Sequence, residues 1–163
     1  HASVELRSCR ELVLLAVKAD GLALQHAPAE FQRDREVVLA AVCETGQALG
    51  FAAKSLQRDR AIVLAAVQEH GAALGHASGP PVADKEVVLT AVRQQGCLLA
   101  LASEGLRNDR AVVRAAVQED GSALAHAAES LRGDRELVLE AIKRDPMALQ
   151  HATVALKADR AVV

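Results

Sequence analysis

Apolar positions along the chain fall into two alternating stripes. In residues 34–58, "DREVVLAAVCETGQALGFAAKSLQR", Val37, Val38, Ala41 and Val42 follow the i, i+1, i+4, i+5 spacing of a helical face turned towards a core. Asp34 stands just ahead of this stripe, where a short acceptor side chain bonds the free amides of a first turn, and Glu36 suits the positive end of the helix dipole. A helix therefore starts here. Its valines are mediocre helix formers, so burial rather than propensity must hold it. A second stripe, Ala48, Leu49, Ala52, Ala53 and Leu56, predicts a second helix. Gly46 separates the two. Gly21, Gly71, Gly96 and Gly121 hold its place elsewhere, but so does Pro146, whose fixed φ excludes a left-handed cap on the first helix. The preceding residues Asp20, Thr45, Asp120 and Asp145 are then expected to cap the second helix, with Gly or Pro opening its first turn.

This pair of stripes repeats every 25 residues. Asp-Arg pairs stand at Asp34, Asp59, Asp109, Asp134 and Asp159, with Asp84-Lys85 and Cys9-Arg10 in the remaining slots. Val38, Val63, Val88, Val113, Val138 and Val163 form one column; Leu24, Leu49, Leu74, Leu99, Leu124 and Leu149 form another. A helical hairpin of this size cannot bury both of its apolar stripes alone and must lie against its copies. The fold class read from this pattern is all-α: an α-solenoid of stacked two-helix hairpins, about six units, in one repeat domain over residues 1–163. Units start near Asp34, Asp59, Asp84, Asp109 and Asp134, with partial units at both ends. The Ala27, Ala52, Ala77, Ala102, Ala127 and Ala152 column is expected to mark the closest helix approach.

Three local departures change the picture. "SGPPVADK", residues 78–85, puts Pro81 where Leu56, Leu106, Leu131 and Leu156 stand, which predicts a kink or shifted connection. His1-Ala2 aligns with His26-Ala27 inside a second helix, and residues 160–163 align with the first turn of a first helix. Neither end carries a polar outer face, so the chain is expected to be a piece of a longer array.

Composition narrows the classes. Apolar residues make up 51% of the chain, almost all of them Ala, Val and Leu, with two Phe and no Tyr or Trp, so packing depends on close approach of small side chains. Nineteen Lys and Arg against 21 Asp and Glu argue against a nonspecific polyanion surface. Cys9, Cys43 and Cys97 are odd in number and fall at unrelated places in the repeat, which argues against a disulfide framework and favours a reducing compartment. No apolar run approaches the roughly 20 residues of a membrane span.

The pattern carried by "LRNDRAVVRAAVQEDGSALAHAAESLRGDRELVLEAI", Leu106 to Ile142, resembles the repeat family termed domain of unknown function 4116. The resemblance extends over essentially the whole chain. Its departures are Cys9 for Asp, Pro81 for Leu, Arg114 for Leu and Pro146 for Gly. What the resemblance implies is helical repeats of unknown biochemical role, found in large proteins of microbial eukaryotes and some bacteria, with no catalytic residues.

Candidate chemistry is sparse. His1, His26, His76, His126 and His151 share a slot with Phe51 and Leu101, which marks it as a packing or rim position rather than a zinc site. Arg35, Arg60, Lys85, Arg110 and Arg135, with Arg58, Arg107 and Arg132 nearby, form a basic column that reads in two ways. Either each cation lies over the apolar stripe or reaches the Asp of the next unit, or the column is a rail for RNA or an acidic ligand. Stacking side chains for bases are absent from it, and Glu36, Glu86 and Glu136 interleave. Cys43 and Cys97 are expected to be buried or half-buried hydrophobes. Catalysis needs unlike residues converging at one place, and here nearly every polar residue is one of a series. The expectation is a non-enzymatic scaffold that contacts protein partners, with no cofactor and nucleic acid disfavoured. Specificity would lie in the columns that vary: Lys18, Cys43, Gln68, Arg93, Gln118 and Lys143, and Gln25, Gly50, Gly75, Ala100, Ala125 and Gln150.

Overall fold

A computed structural model describes residues 2–158, with side-chain surroundings described from residue 9 onward. His1, the Asp159-Arg160 pair and the expected helix start at residues 160–163 lie outside the described residues. The described chain is all-α, of the repeat-solenoid class, with no strand among the described residues. It divides into two compact units, His1–Pro81 and Val82–Val163.

In the first unit, α1 (Ala2–Ala19), α2 (Arg35–Glu44) and α3 (Arg60–Glu69) pack in sequence, each on the next. Between them run 3₁₀ helices at Gly21–His26 and Gly46–Phe51, with short 3₁₀ turns at Phe31–Arg33 and Leu56–Arg58. A third 3₁₀ helix, Gly71–His76, follows α3. The second unit holds α4 (Lys85–Val92), α5 (Glu104–Arg107), α6 (Arg110–Glu119), α7 (Glu129–Arg132), α8 (Arg135–Arg144) and α9 (Val154–Lys157). Its 3₁₀ helices are Gly96–Leu101, Gly121–His126 and Pro146–His151, and α4 packs on α6 and α6 on α8.

The first helix of each repeat forms as its pattern dictates. Val37, Val38, Ala41 and Val42 are fully buried, as are Ile62, Val63, Ala66 and Val67 in α3 and Val112, Val113, Ala116 and Val117 in α6. Asp34 Oδ1 accepts from the amides of Glu36 (2.9 Å) and Val37 (3.3 Å), and Asp59, Asp84 and Asp109 do the same for their own helices. Cys9 has no such oxygen. There no new helix starts, and α1 runs unbroken from Ala2 to Ala19 where the other repeats turn, so Ala2 lies in the long α1 rather than in a second helix.

The expected second α-helix is replaced by a 3₁₀ helix, an extended break and a short turn. Gly46, Leu49 and Ala52 are buried at intervals of three, the period of a 3₁₀ helix, and Ala48 and Ala52 donate to carbonyls three residues back. Ala52 is not the middle of a helix: its φ of −69° and ψ of 152° are extended, and the other members of that column repeat the geometry. The break has a use. Ala53 N–H bonds Gln32 C=O (2.9 Å) in the repeat before, and Ser78 does so to Gln57, Ser103 to Val82, Ala128 to Arg107 and Thr153 to Arg132. Successive repeats are thus joined through backbone by one rung each.

The glycine column is explained by closeness, not by positive φ. A Cβ on Gly46 would lie 2.3 Å from Ala66 O in the following helix, and one on Gly96 2.3 Å from Ala116 O. Asp20, Asp120 and Asp145 cap their 3₁₀ helices as expected, each at 2.9 Å, whereas Thr45 makes no side-chain cap bond. Among the described residues only Gly79 has positive φ (72°). It precedes a 3₁₀ turn, Pro80–Ala83, which keeps the place of Phe31–Arg33 and Leu56–Arg58, and α4 starts in register at Lys85. The shifted connection expected at "SGPP" therefore does not occur; the division between the two compact units falls after buried Pro81.

Candidate interaction surface

The basic column was the first candidate, and the structure places most of it in ion pairs between repeats. Arg10 Nε donates to Asp34 Oδ2 at 2.7 Å and its Nη2 to Glu36 Oε2 at 2.6 Å. Arg35 reaches Asp59 Oδ2 at 3.5 Å, Lys85 Nζ reaches Asp109 Oδ2 at 2.7 Å, and Arg110 spans Asp134 and Glu136 at 2.8 Å each. Arg60 and Arg135 also have interactions of their own. One carboxylate therefore does two jobs: Oδ1 caps its own helix and Oδ2 receives the cation of the repeat before. The cation beside each aspartate is the main reason that the carboxyl groups of Asp34 (Arg10), Asp109 (Lys85) and Asp134 (Arg110) titrate below the ordinary carboxylate range.

That shift fixes a pH dependence. Carboxylates whose folded value is depressed add stability above their unfolded value, near 3.8, and lose it as pH falls through the folded values. The urea midpoint is expected to fall as pH drops below about 4, and to fall less steeply in the triple variant D34N/D109N/D134N. Asn keeps the capping oxygen but loses the charge and the acceptor that faces the cation. Parallel curves for the two proteins would contradict this.

A second polar column was missed by reading apolar stripes. Gln57 is the one buried polar side chain among the described residues, 3% exposed, and its Nε2 donates to the carbonyls of Leu49, Gly50 and Ala52 at 3.1–3.2 Å. Gln32 reaches Leu24 O and Lys157 reaches Gln150 O. Arg107 and Arg132 hold the same slot, each with a buried, unpartnered Nε. Gln32, Gln57 and Lys157 close open carbonyls at the ends of their 3₁₀ helices, whereas the Nε of Arg107 and of Arg132 makes no such bond. Val82, in the "SGPP" repeat, cannot donate. Replacing Gln57 by Met is expected to cost about 2 kcal/mol, since buried carbonyls lose their donor without a cavity opening. A urea midpoint within error of the parent would contradict that role.

The histidine slot lies on the rim. His26 and His76 are exposed, His126 and His151 half-buried, and Phe51 and Leu101 are 38% and 41% exposed. The His76 ring packs over Gly50, 3.1 Å from where a Cβ would stand. Among the described residues no three metal-ligating side chains gather. Cys43 and Cys97, expected to be at least half-buried, are exposed along with Cys9. Cys43 sits in the outward column of Lys18, Gln68 and Arg93, and that helix position, not thiol chemistry, decides its exposure.

One compositional feature stands out once the 3₁₀ helices are located. Segments 21–27, 46–52, 71–77, 96–102, 121–127 and 146–152 contain no Asp, Glu, Lys or Arg, although the chain has 40 such residues (19 basic and 21 acidic). Their exposed positions are Gln, Gly, Ala, His, Phe and Leu, with Cys97, Pro146 and Met147. Each unit therefore presents an edge of 3₁₀ helices whose own residues carry no charge, reached in the second unit by Lys157 at Gln150 O, and, apart from it, helical surfaces bearing the ion-pair ladder.

Residues 1–32, 34–80, 84–132 and 134–163 match the family model described as Domain of unknown function (DUF4116). No curated protein and no solved structure matches the chain.

Proposed function

Since the chain belongs to the DUF4116 family across its length, we propose that it is a non-enzymatic helical-repeat scaffold whose uncharged 3₁₀ edge contacts protein partners. The observation that supports this is the sorting of charge: repeated cations and carboxylates are engaged with one another, and the one surface without charge keeps Phe51 and Leu101 partly exposed. Aromatic and aliphatic side chains on a charge-poor patch are what the centre of a protein interface requires. The varied residues of that edge, Gln25, Gly50, Gly75, Ala100, Ala125 and Gln150, would set which partner fits.

The alternative, RNA or an acidic ligand gripped along Arg35, Arg60, Lys85, Arg110 and Arg135, is weakened because a neutralised ladder releases few counterions. A photo-crosslinking residue placed at Phe51 or Leu101 in the intact protein tests the reading in cells. Protein adducts enriched there over the same probe at Arg35 support it. Equal yields at the three positions, or salt-sensitive binding of a fluorescent RNA strand, would overturn it.

A further inference from the structure

We propose that the seam between α4 and α6 is a binding groove for a partner segment that presents an apolar side chain followed closely by a carboxylate. The groove is an open space of about 500 Å³, lined chiefly by Leu89, Arg93, Ala111, Arg114, Ala115 and Gln118. That volume suits one or two side chains. It arises where the repeat is broken. Leu14, Leu39, Leu64, Leu89 and Leu139 share one column, and Arg114 alone replaces Leu there. Arg114 is anchored on α8 by two hydrogen bonds to Glu140, Nε to Oε2 at 2.9 Å and Nη2 to Oε1. Glu140 also departs from its column of Leu15, Ala40, Ala65, Thr90 and Ala115. Two coupled departures have exchanged an apolar ridge for an ion pair one helix further on.

What remains has a floor of Leu89, Ala111 and Ala115 and a cation at the rim. Arg93 occurs once in its column, is exposed, and has no ion pair or side-chain hydrogen bond among the described residues. Glu119 lines the same space and carries the opposite charge. The pair gives the groove a direction: a partner carboxylate is held towards Arg93 and repelled from Glu119. One free guanidinium with no aromatic ring fits a peptide carboxylate better than a nucleic-acid strand.

This inference rests on the reading of the chain as a binding scaffold but concerns a different face from the 3₁₀ edge. The test is a titration of the isotope-labelled full chain with the acetylated, amidated peptide Gly-Leu-Phe-Asp-Glu-Gly, followed by amide shifts at Leu89, Ala111 and Ala115. Its Asn-Gln counterpart is the control. Saturable shifts are expected, weakened about tenfold by the amide peptide and about tenfold by Arg93→Gln. The double variant R114L/E140A restores the repeat's own residues, fills the groove and is expected to abolish the shifts without lowering the urea midpoint. If that variant fails to fold, Arg93→Gln still decides. No shifts at millimolar peptide, equal affinity for both peptides, or shifts that survive R114L/E140A would each overturn the proposal. Failure of crosslinking at Phe51 and Leu101 leaves this titration unaffected, so the two readings fail separately.

Discussion

Gly46→Ala is expected to lower stability by about 3 kcal/mol, towards the top of the range for overpacked sites. The added methyl would meet Ala66 O at 2.3 Å and His70 Cβ at 3.0 Å. Both are set by backbone, the carbonyl by α3 and the Cβ by the residue that ends it, so neither can swing aside as a side-chain tip can. To admit the methyl, two repeats must separate, and the rung from Ala53 to Gln32 and the ion pair of Arg35 with Asp59 lie in the same stack. Gly105→Ala is the matched control. Nothing stands within 4 Å of a Cβ there, the residue lies in the short helix α5, and the change is expected to be neutral or to stabilise by up to about 1 kcal/mol. Urea unfolding of both variants measures the contrast, and similar midpoints would remove close approach as the reason for the glycine column.

Leu49→Ala is expected to cost about 3 kcal/mol, within the range for a buried leucine that leaves a cavity. Leu49 is fully buried and central to a 3₁₀ helix packed on α2 and α3. The helix has only six residues and poor intrinsic stability, so it cannot close over the space by itself. Val154→Ala, at a side chain 82% exposed, is expected to change stability by less than about 0.5 kcal/mol. If the two variants lost similar amounts, the Leu column would not be the core of the repeat.

Much of this architecture is legible in the sequence because copies of one unit act as controls for one another. The capping aspartates and the valine columns follow from residue type and spacing; the reach of Arg35, Lys85 and Arg110 to the next aspartate is one of the alternatives that spacing leaves open. The second helix departs from its apolar pattern for a physical reason. Gly46 contributes no apolar side chain, so the three-residue period of Gly46, Leu49 and Ala52 shows in the sequence only as Leu49 and Ala52, and Ala48 and Ala53 complete an apparent α-helical stripe. The carbonyl-capping role of Gln32, Gln57 and Lys157 has no pattern in the sequence, because they share only a long donor, and Arg107, Arg132 and Val82 hold the same slot without that bond. Residue type misleads for the cysteines: the column of Cys43, with Lys18 and Arg93, already points outward, and Cys97 shares its column with Gln47 and Met147. The α4–α6 groove was half visible: Arg114 is conspicuous in a leucine column, but its anchoring on Glu140 is a contact over 26 positions that no local pattern announces.

The backbone rungs constrain how such a chain can change over generations. Each joins residues 21 apart in sequence, in the order Ala53 to Gln32, Ser78 to Gln57, Ser103 to Val82, Ala128 to Arg107 and Thr153 to Arg132, and it involves no side chain. Surface substitutions leave it intact, which gives neighbouring modules freedom to diverge in whatever they display. Loss or gain of one or two residues between the partners would shift a donor off its acceptor and also turn the valine face away from its neighbour. Length can therefore vary readily only by whole modules, through duplication or excision, while identity drifts on the outside of each.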